Sequence, residues 1–450
     1  MADLKQNTWV LDEWYDQAVA GNTTYQGAVQ LWVAGNNERG RNGQNNAPVS
    51  YPWGTVLTGQ VSSPVQVGAG GDWAKVCQRS NSMISAIKTD GSLWSWGYNG
   101  DGQLGLNNRT SRSSPCQIGT PGTWRNFWSG YASLGIKETG DYTTMGGPLY
   151  SWGGNSHGAN GLNQPSAGSN FGKASSPTQV GTQTDWVAVS SDSKTSTGLR
   201  IPGRTVNYGN LYTWGYGFYG NLGNNLGGYP WGNQETRSIS SPWLVPGGNW
   251  IDSAHGNYAI YGMKNDGTVW AWGRSQQQNM GTSPGGSKSS PTQVGTEIAI
   301  QSWDAMASAY QGGYLLKNGN LYAWGKNNVG ELGQNDTDAD SEPTLVGNPG
   351  DNNWAVITNS FTSGAQGVKT DGTVWVWGTN GRGQLGDNQE RYGGYSSPTQ
   401  VFGEAGVDSS WKGVTGITTG TKYIGYAPAN NNMRMLGGTG QSQNAFLKLV

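Results

Sequence analysis

Charged side chains are scarce in this sequence. Asp, Glu, Lys and Arg make up 12% of its 450 residues, and the formal net charge at pH 7 is −1. Proteins that bind nucleic acid or anionic membrane surfaces attract them through clustered Lys and Arg, which give a basic balance of charge. We therefore expect neither nucleic acid among the partners nor insertion into a membrane.

Long apolar runs and cysteines are scarce too. No window approaches about eighteen consecutive apolar residues, and the segment ADLKQN after Met1 lacks the basic and apolar regions of a signal peptide. Two cysteines, Cys77 and Cys116, are too few for a disulfide framework in a chain of this length. These features predict a soluble protein made in the cytosol, with both thiols unbridged.

Groups that carry catalysis or bind metals are equally few. The two histidines, His157 and His255, lie in the glycine-rich segment GNSHGANG and in DSAHGNYA. A catalytic triad or a zinc site needs several converging groups. The acidic run at residues 334–342 lacks the sixth-position Gly and twelfth-position Glu of a calcium loop. The sequence predicts a protein that is not an enzyme and that has no catalytic residues, cofactor or metal site.

Glycine and aromatic residues are abundant instead, and they recur in a pattern. The chain has 75 Gly, 23 Trp and 21 Tyr. The segment KTDGSLWSWGYNGDGQLGLNN at residues 88–108 returns in five further strong copies, and two weaker copies carry Ala34 and Leu436 in place of tryptophan. The eight copies give a mean period of about 57 residues, which four short strands with their loops would fill.

Two further elements repeat in a fixed order with these copies. SSPTQVG or a variant occurs seven times, and a tryptophan follows it each time, at Trp73, Trp124, Trp186, Trp250, Trp303, Trp354 and Trp411. Asp-Gly and Asn-Gly between apolar residues predict hairpin turns, and the period of two in LWSW places Trp94 and Trp96 on one face. Each unit therefore predicts four strands, with Cys77 on the innermost strand and Cys116 on the outermost.

The predicted sheets have four strands each and repeat at a fixed period, and a single sheet cannot bury its aromatic faces alone. This pattern predicts an all-β protein with the fold of a β-propeller. Eight units favour eight blades, with AFLKLV at the carboxyl end as the outer strand of the last one. The alternative is seven blades, with strands from both chain ends sharing one sheet.

The repeated order of hairpin, GQLG and SSPTQVG resembles the repeat of the regulator of chromosome condensation family, RCC1. The resemblance implies a propeller, and it makes a guanine-nucleotide exchange factor for a small GTPase one alternative function. Family repeats carry a Gly-x-x-His signature that is largely lost here, and the amino terminus, MADLKQNTWVLDEWYDQ, is acidic and aromatic rather than basic. These departures speak against a chromosomal role.

The sequence divides into residues 1–25, which form an amino-terminal arm or the strands of a first blade, and residues 26–450, which form the propeller. The spacing in residues 9–20 favours a helix over a strand. In that arm, Trp14 and Tyr15 are candidates for contact with a partner. Two long variable loops share a YPWG motif, so the other candidates are Tyr51, Trp53, Tyr229 and Trp231. The motif is either a turn that folds back on the propeller or an exposed aromatic pair.

Taken together, these features predict a non-enzymatic structural or interaction protein. We expect a component of a bacteriophage virion or a bacterial surface assembly that binds other proteins of the assembly through its loops. Its location would be the virion, after synthesis in the host cytoplasm, or alternatively the cytoplasm. A glycan-binding propeller is the other alternative, and surface glycan is then the partner.

Overall fold

The computed structural model describes most of the chain between residues 29 and 449. The described residues are 29–35, 37–45, 61–69, 72–77, 83–119, 124–139, 146–164, 172–192, 194–203, 208–225, 238–257, 259–276, 278–282, 286–296, 298, 300, 302–348, 350–357, 364–370, 373–380, 385, 394–400, 433–434 and 443–449. Among them, no helix is long and apolar enough to cross a membrane.

Six antiparallel sheets are each built from four consecutive strands, as the division of each repeat unit into four strands predicted. Sheet 1 contains β3 (Trp73–Cys77), β4 (Met83–Lys88), β5 (Leu93–Gly97) and β6 (Arg112–Gln117). Sheet 2 contains β7 (Trp124–Trp128), β8 (Ala132–Lys137), β9 (Leu149–Gly153) and β10 (Ala174–Gln179). Sheet 3 contains β11 (Trp186–Ser191), β12 (Thr195–Arg200), β13 (Asn210–Gly215) and β14 (Ile239–Leu244).

The next three sheets follow the same order. Sheet 4 contains β15 (Trp250–His255), β16 (Ala259–Lys264), β17 (Val269–Gly273) and β18 (Lys288–Gln293). Sheet 5 contains β19 (Ala305–Ala309), β20 (Gly312–Lys317), β21 (Asn320–Gly325) and β22 (Asp340–Leu345). Sheet 6 contains β23 (Trp354–Ile357), β24 (Gly364–Lys369), β25 (Val374–Gly378) and β26 (Tyr395–Gln400).

One further sheet, called here the shared sheet, joins both ends of the chain. Its strands are β1 (Val29–Gly35), β2 (Val61–Gln66), β27 (Met433–Arg434) and β28 (Gln443–Leu449), in the order β2-β1-β28-β27. β1 and β28 pair along their whole length, from Val29 opposite Leu449 to Gly35 opposite Gln443.

The prediction of eight blades is therefore wrong. The first and last repeat copies do not build separate blades, because β28 pairs with β1. Residues 445–449 of the segment AFLKLV lie in β28, between β1 and β27, and not on an outer edge as predicted. The described residues thus form six blades of consecutive strands and one sheet in which strands from both chain ends meet.

The turn between the second and third strands shows why the hairpins form where Asp-Gly occurs. In sheet 1 the Asp90 carboxylate accepts hydrogen bonds from the Ser92 backbone N–H, at 2.9 Å, and from the Ser92 hydroxyl. Gly91 supplies the positive φ, +76°, that the turn requires. These bonds hold the pKa of Asp90 below its usual value, because they outweigh the effect of burial, which raises it. The predicted hairpin turn is confirmed.

Tryptophan rings fill the space between consecutive sheets. Trp73 on β3 contacts both Trp94 and Trp96 on β5, with ring centroids 6.4 and 6.1 Å apart, so the two β5 rings share the predicted face. The second strand of the sheet lies between the first and the third, so it must carry a small residue beneath the ring of the first-strand tryptophan. In sheet 3 that residue is Gly198, where a Cβ atom would lie 2.5 Å from the Trp186 ring.

The two ends of the sheets differ. The hairpin face is the end at which the second strand turns into the third, as at Asp90. The loop face is the opposite end, at which the first strand turns into the second and the third strand leaves through a glycine-rich loop toward the fourth. The first strand of each sheet is largely buried, whereas the fourth, such as β6 or β10, is partly exposed along its length.

Cys77 and Cys116 lie on β3 and β6, with two strands between them, as predicted.

Candidate binding surface on the loop face

The six candidate residues from the sequence lie outside the described part of the chain. These are Trp14, Tyr15, Tyr51, Trp53, Tyr229 and Trp231. Their roles stay predictions, as does the assignment of residues 1–25 to an arm or to first-blade strands.

The repeated glycine-rich loops bind the next sheet. In each case the tryptophan directly before the glycine that ends a third strand, in a WxWG or YxWG segment, donates its indole N–H to a backbone carbonyl in the loop of the preceding sheet. The pairs are Trp96 to Arg41, Trp152 to Gln103, Trp214 to Ala159, Trp272 to Asn221, Trp324 to Asn279 and Trp377 to Glu331, at 2.8 to 3.2 Å. We call this contact the clasp.

In four of the described loops, an Asn bonds to the Ser residues of an SSP segment and forms the second half of the clasp. Asn107 has a φ of +57° and donates its backbone N–H to the Ser175 carbonyl at 2.8 Å. The Ser176 hydroxyl donates back to Asn107 Oδ1 at 3.1 Å. The same pattern holds Asn45 to Ser113 and Ser114, Asn225 to Ser289 and Ser290, and Asn335 to Ser396 and Ser397. The GQLG and SSP motifs are therefore partners that join neighbouring blades.

One described loop departs from the glycine- and asparagine-rich pattern. After β13 the chain carries three aromatic residues in four positions, Tyr216, Phe218 and Tyr219. The Phe218 ring stacks on Tyr216, with centroids 6.1 Å apart, and meets Tyr219 edge-on at 5.0 Å. Tyr216 is 6% exposed, while Phe218 and Tyr219 are partly exposed.

Three basic side chains from other segments surround these rings. His157, in the loop after β9, lies edge-on to Tyr216 with centroids 4.7 Å apart. Lys194, in the turn between β11 and β12, places Nζ 5.2 Å from the Tyr216 centroid. Arg274, after β17, lies over Tyr219 with Cζ 4.7 Å from the centroid. We call these six residues, His157, Lys194, Tyr216, Phe218, Tyr219 and Arg274, the aromatic cluster.

The aromatic cluster contains a histidine and a lysine close enough to affect each other. Burial, and secondly the charge of Lys194, lowers the pKa of His157, so this ring is neutral at pH 7. The carboxylate of Asp192 is buried and accepts the backbone N–H groups of Lys194 and Thr195, both at 2.6 Å, so it is directed into the turn. Lys194 and Arg274 are the two cations of the cluster.

Each of the two histidines has a hydrogen-bond partner. His157 Nδ1 lies 2.8 Å from the Ser156 hydroxyl. His255 is fully buried, and its Nε2 lies 3.2 Å from Thr197 Oγ1. Thr197 also bonds to Ser190 and Ser253, so the four side chains form a buried polar network between sheets 3 and 4. Within the described ranges, no three His, Cys, Asp or Glu side chains come together as a metal site would require.

The sequence analysis missed the aromatic cluster. A signal was present, because GYGFYG is the one strong copy with three aromatic residues between WG and NLG. His157, Lys194 and Arg274 could not be added from the sequence, because each belongs to a different segment of the chain.

The fold of this chain is an RCC1-like β-propeller. The model of the regulator of chromosome condensation (RCC1) repeat matches residues 90–130, 318–362 and 371–424. The chain therefore contains RCC1 repeats, as the resemblance predicted.

Relatives of known function share this sequence pattern at low identity. The chain is 26% identical over 388 residues to the E3 ubiquitin-protein ligase HERC2 of mouse and human, which covers 84% of this chain and 7% of that protein. It is 24% identical over 364 residues to the ultraviolet-B receptor UVR8 of Arabidopsis thaliana, covering 74% of this chain and 73% of that protein. The chain thus spans only a small part of HERC2.

Solved structures show the same fold. Human WBSCR16 superposes with a TM-score of 0.68 at 17% identity, over 94% of this chain and 99% of that one. Yeast RCC1 (Prp20), in a structure bound to Kap60, superposes with a TM-score of 0.70 at 14% identity, over 100% of this chain and 94% of that one. A third structure, Prp20p from Saccharomyces cerevisiae, has a TM-score of 0.68 at 15% identity over 94% and 92%.

Proposed function

We propose that this protein is a non-enzymatic interaction protein that binds partner proteins through the loops of its propeller. The observation that carries the proposal is the aromatic cluster on the loop face. Its residues break the repeat pattern, whereas the repeated residues are engaged in clasps within the chain. Phe218 and Tyr219 depart from the repeat and are partly exposed, so a binding partner can reach them.

A rigid scaffold with aromatic and Arg side chains on one face suits protein recognition. Binding energy in protein interfaces concentrates on Trp, Tyr and Arg side chains, and binding loops are most effective when a stable scaffold holds them. The two solved yeast structures support such a role for the fold, because Prp20p binds Gsp1p and histones and the other structure contains Kap60.

More specifically, we propose a component of a bacteriophage virion or a bacterial surface assembly. The low Lys content, the many Gly, Asn, Ser, Thr and Trp residues and the near-regular repeats support this proposal. Trp14 and Tyr15 would anchor the arm to a neighbouring protein, and the YPWG residues would extend the contact.

Mass spectrometry of the cross-linked native assembly tests the proposal. We expect cross-links from lysines of the loop face, such as Lys194, and from the amino-terminal segment to a small set of proteins in fixed ratio. Deleting residues 1–20 should leave a folded propeller that no longer joins the assembly. Recovery of the protein only as a free chain, without any partner in fixed ratio, would contradict the proposal.

The alternative is a guanine-nucleotide exchange factor, which rests on the family resemblance. Nucleotide release from candidate small GTPases, measured with a fluorescent GDP analogue, separates the two functions. If substoichiometric amounts of this protein accelerate nucleotide release, the structural role is contradicted and the protein is an exchange factor.

A further inference from the structure

We infer that Asn318 is a site of spontaneous modification, at which the folded protein loses a side-chain amide as ammonia and acquires aspartate or isoaspartate, and that these products weaken the contact between sheets 5 and 6. Asn318 lies in the turn between β20 and β21, on the hairpin face of sheet 5. The site is therefore at the opposite end of the sheets from the aromatic cluster, and it does not depend on the proposed function.

The sequence contains five Asn-Gly pairs, and the structure separates one of them from the rest. The first residues of these pairs are Asn42, Asn99, Asn160, Asn318 and Asn380. Asn318 is exposed, whereas the other four asparagines are at most 1% exposed. Asparagine is a heat-labile residue, and a following glycine has no Cβ atom to hinder the approach of its backbone nitrogen to the side chain. Exposure thus singles out Asn318 among sites with the same local sequence.

Hydrogen bonds hold the side chains of buried pairs in place. Asn99 Nδ2 donates to the Asn108 carbonyl at 2.9 Å, and Asn99 Oδ1 accepts the Leu104 backbone N–H at 3.0 Å. Asn160 Nδ2 donates to the Gly172 carbonyl at 3.3 Å. These side chains would have to break such bonds, inside the protein, before their Cγ atoms could be attacked.

At Asn318 both reacting groups are available. Within the part of the chain that the structure describes, no hydrogen bond reaches the Asn318 side chain or the Gly319 backbone N–H. The Asn318 side chain is therefore exposed and unbonded, and the nitrogen that would attack it is unbonded as well.

The turn has to rearrange for the reaction, and its position permits this. Asn318 and Gly319 both lie in the left-handed region, with φ of +50° and +78°. Attack on Asn318 Cγ requires rotation about the bond between its Cα atom and its carbonyl carbon. Local opening of an exposed turn costs much less free energy than opening of buried strands.

The reaction balances with water as its co-reactant. The Gly319 nitrogen gives up its proton and forms a bond to Asn318 Cγ. The bond between Cγ and Nδ2 breaks, and Nδ2 takes up a proton and leaves as ammonia, so a cyclic succinimide remains. Water then cleaves one of the two C–N bonds of the ring. Cleavage of the new bond gives aspartate, and cleavage of the original peptide bond gives isoaspartate, with no change of oxidation state.

Both products change a junction between sheets. Each adds a negative charge beside Asp304, which accepts the Asn318 backbone N–H at 2.7 Å and pairs with Lys317 at 3.1 Å. Isoaspartate also lengthens the main chain of the turn by one atom. The Gly319 carbonyl in this turn accepts the backbone N–H of Trp354, at the start of sheet 6, at 3.0 Å. We therefore expect modified protein to be less stable.

Peptide mapping of the full chain by mass spectrometry tests the inference. The folded protein is incubated at mildly alkaline pH in water enriched in heavy oxygen, so that each residue modified during the incubation carries the label. A second sample is incubated in guanidinium chloride as the unfolded reference. Asn99 and Asn160 are matched internal controls, because glycine follows each of them too.

We expect Asn318 to be modified at least about tenfold faster than Asn99 or Asn160 in the folded protein, because only the controls must first break buried hydrogen bonds. In the unfolded sample the three rates should agree within about threefold, since the local sequences then decide. Asn318→Gln keeps an amide but would need a larger ring, so this variant should lose the modification. After the same incubation, the wild type should melt at a lower temperature than Asn318→Gln does.

Three results would overturn the inference. The first is modification of Asn99 or Asn160 in the folded protein as fast as that of Asn318. The second is an equally large advantage of Asn318 in the unfolded sample, which would assign the rate to the sequence and not to the fold. The third is equal melting of the incubated wild type and Asn318→Gln, which would refute the weakened contact between sheets 5 and 6.

Discussion

At the scale of single residues, two tryptophans of this chain have opposite environments. Trp272 is fully buried between sheets 3 and 4 and donates its indole N–H to Asn221. Trp243 lies on the outer strand β14 and is 49% exposed. The other fourth strands have residues such as Thr178 or Thr292 at the position of Trp243, so its ring serves no repeated contact.

We expect Trp272→Ala to lower the free energy of unfolding by about 3–5 kcal/mol, as truncation of a buried aromatic side chain does. Trp243→Ala should lower it by less than about 1 kcal/mol, because its side chain loses little contact. Urea denaturation followed by tyrosine and tryptophan fluorescence measures both. Equal losses in the two variants would show that the described burial of Trp272 does not stabilise the fold.

Glu331 is a buried acid within a clasp. Burial raises the pKa of its carboxyl, although the backbone N–H of Val329, at 2.8 Å, and the charge of Lys326, at 3.6 Å, act in the opposite direction. Because the folded state holds this proton more tightly than the unfolded state does, its contribution to stability is greatest below the ordinary carboxyl pKa. That contribution is lost as the pH rises through the raised pKa.

Glu331→Gln should therefore change the pH dependence of stability. Gln keeps an acceptor for the Val329 N–H but cannot ionise. We expect the stability of the wild type relative to the variant to fall as the pH rises from the ordinary carboxyl pKa through the raised pKa of Glu331, in urea denaturation series at matched pH. Parallel pH profiles for the two proteins would contradict this expectation. Asp90→Asn, at an acid whose pKa is lowered, should give the opposite trend.

At the scale of structural elements, the clasp explains why the glycine-rich loops repeat. Gly223 has a φ of +64°, and a Cβ atom there would lie 2.9 Å from the Trp272 indole nitrogen. Gly248 has a φ of +53° and no atom within 4 Å of the same position. The two glycines share the backbone conformation and differ only in their neighbours.

Gly223→Ala should destabilise the protein more than Gly248→Ala does. Both variants place an L side chain in the left-handed region, which costs about 1–2 kcal/mol. Only the first also displaces the indole ring of a clasp, which adds about 1–3 kcal/mol of overpacking strain. Thermal melting of both variants gives the comparison. If their losses are equal, the close approach of loop and ring does not contribute to stability.

At the scale of the whole molecule, the shared sheet brings the two ends of the chain together. β28 lies between β1 and β27, so it completes a sheet that the amino-terminal segment begins. Removing it would expose the edge of β1 along all seven of its residues. An unpaired edge beside apolar residues favours association between molecules.

We expect deletion of residues 443–450 to lower the melting temperature and to cause aggregation that light scattering detects. A synthetic peptide with the sequence of residues 443–450 should restore melting when added in excess, because it can pair with β1. A peptide of the same composition in scrambled order is the control. A truncated protein that melts like the full chain would show that the shared sheet does not hold the ends together.

Local chemistry made the blades predictable from the sequence. The Asp-Gly turn at Asp90, the alternation that puts Trp94 and Trp96 on one face and the Pro of each SSP segment act between residues close in the chain. Each follows from backbone geometry that the residue types dictate. The order of the four strands and the placement of Cys77 and Cys116 could therefore be predicted before the structure was known.

The tertiary structure alone decided how the units join and where binding residues meet. The number of repeat copies suggested eight blades, but the pairing of β1 with β28 joins residues about 400 positions apart, which no local pattern encodes. The clasp from Trp272 to Asn221 spans 51 positions, and the aromatic cluster draws His157, Lys194 and Arg274 from three separate segments. Local periodicity determines the face on which a side chain lies, whereas its neighbour across an interface depends on the packing of whole sheets.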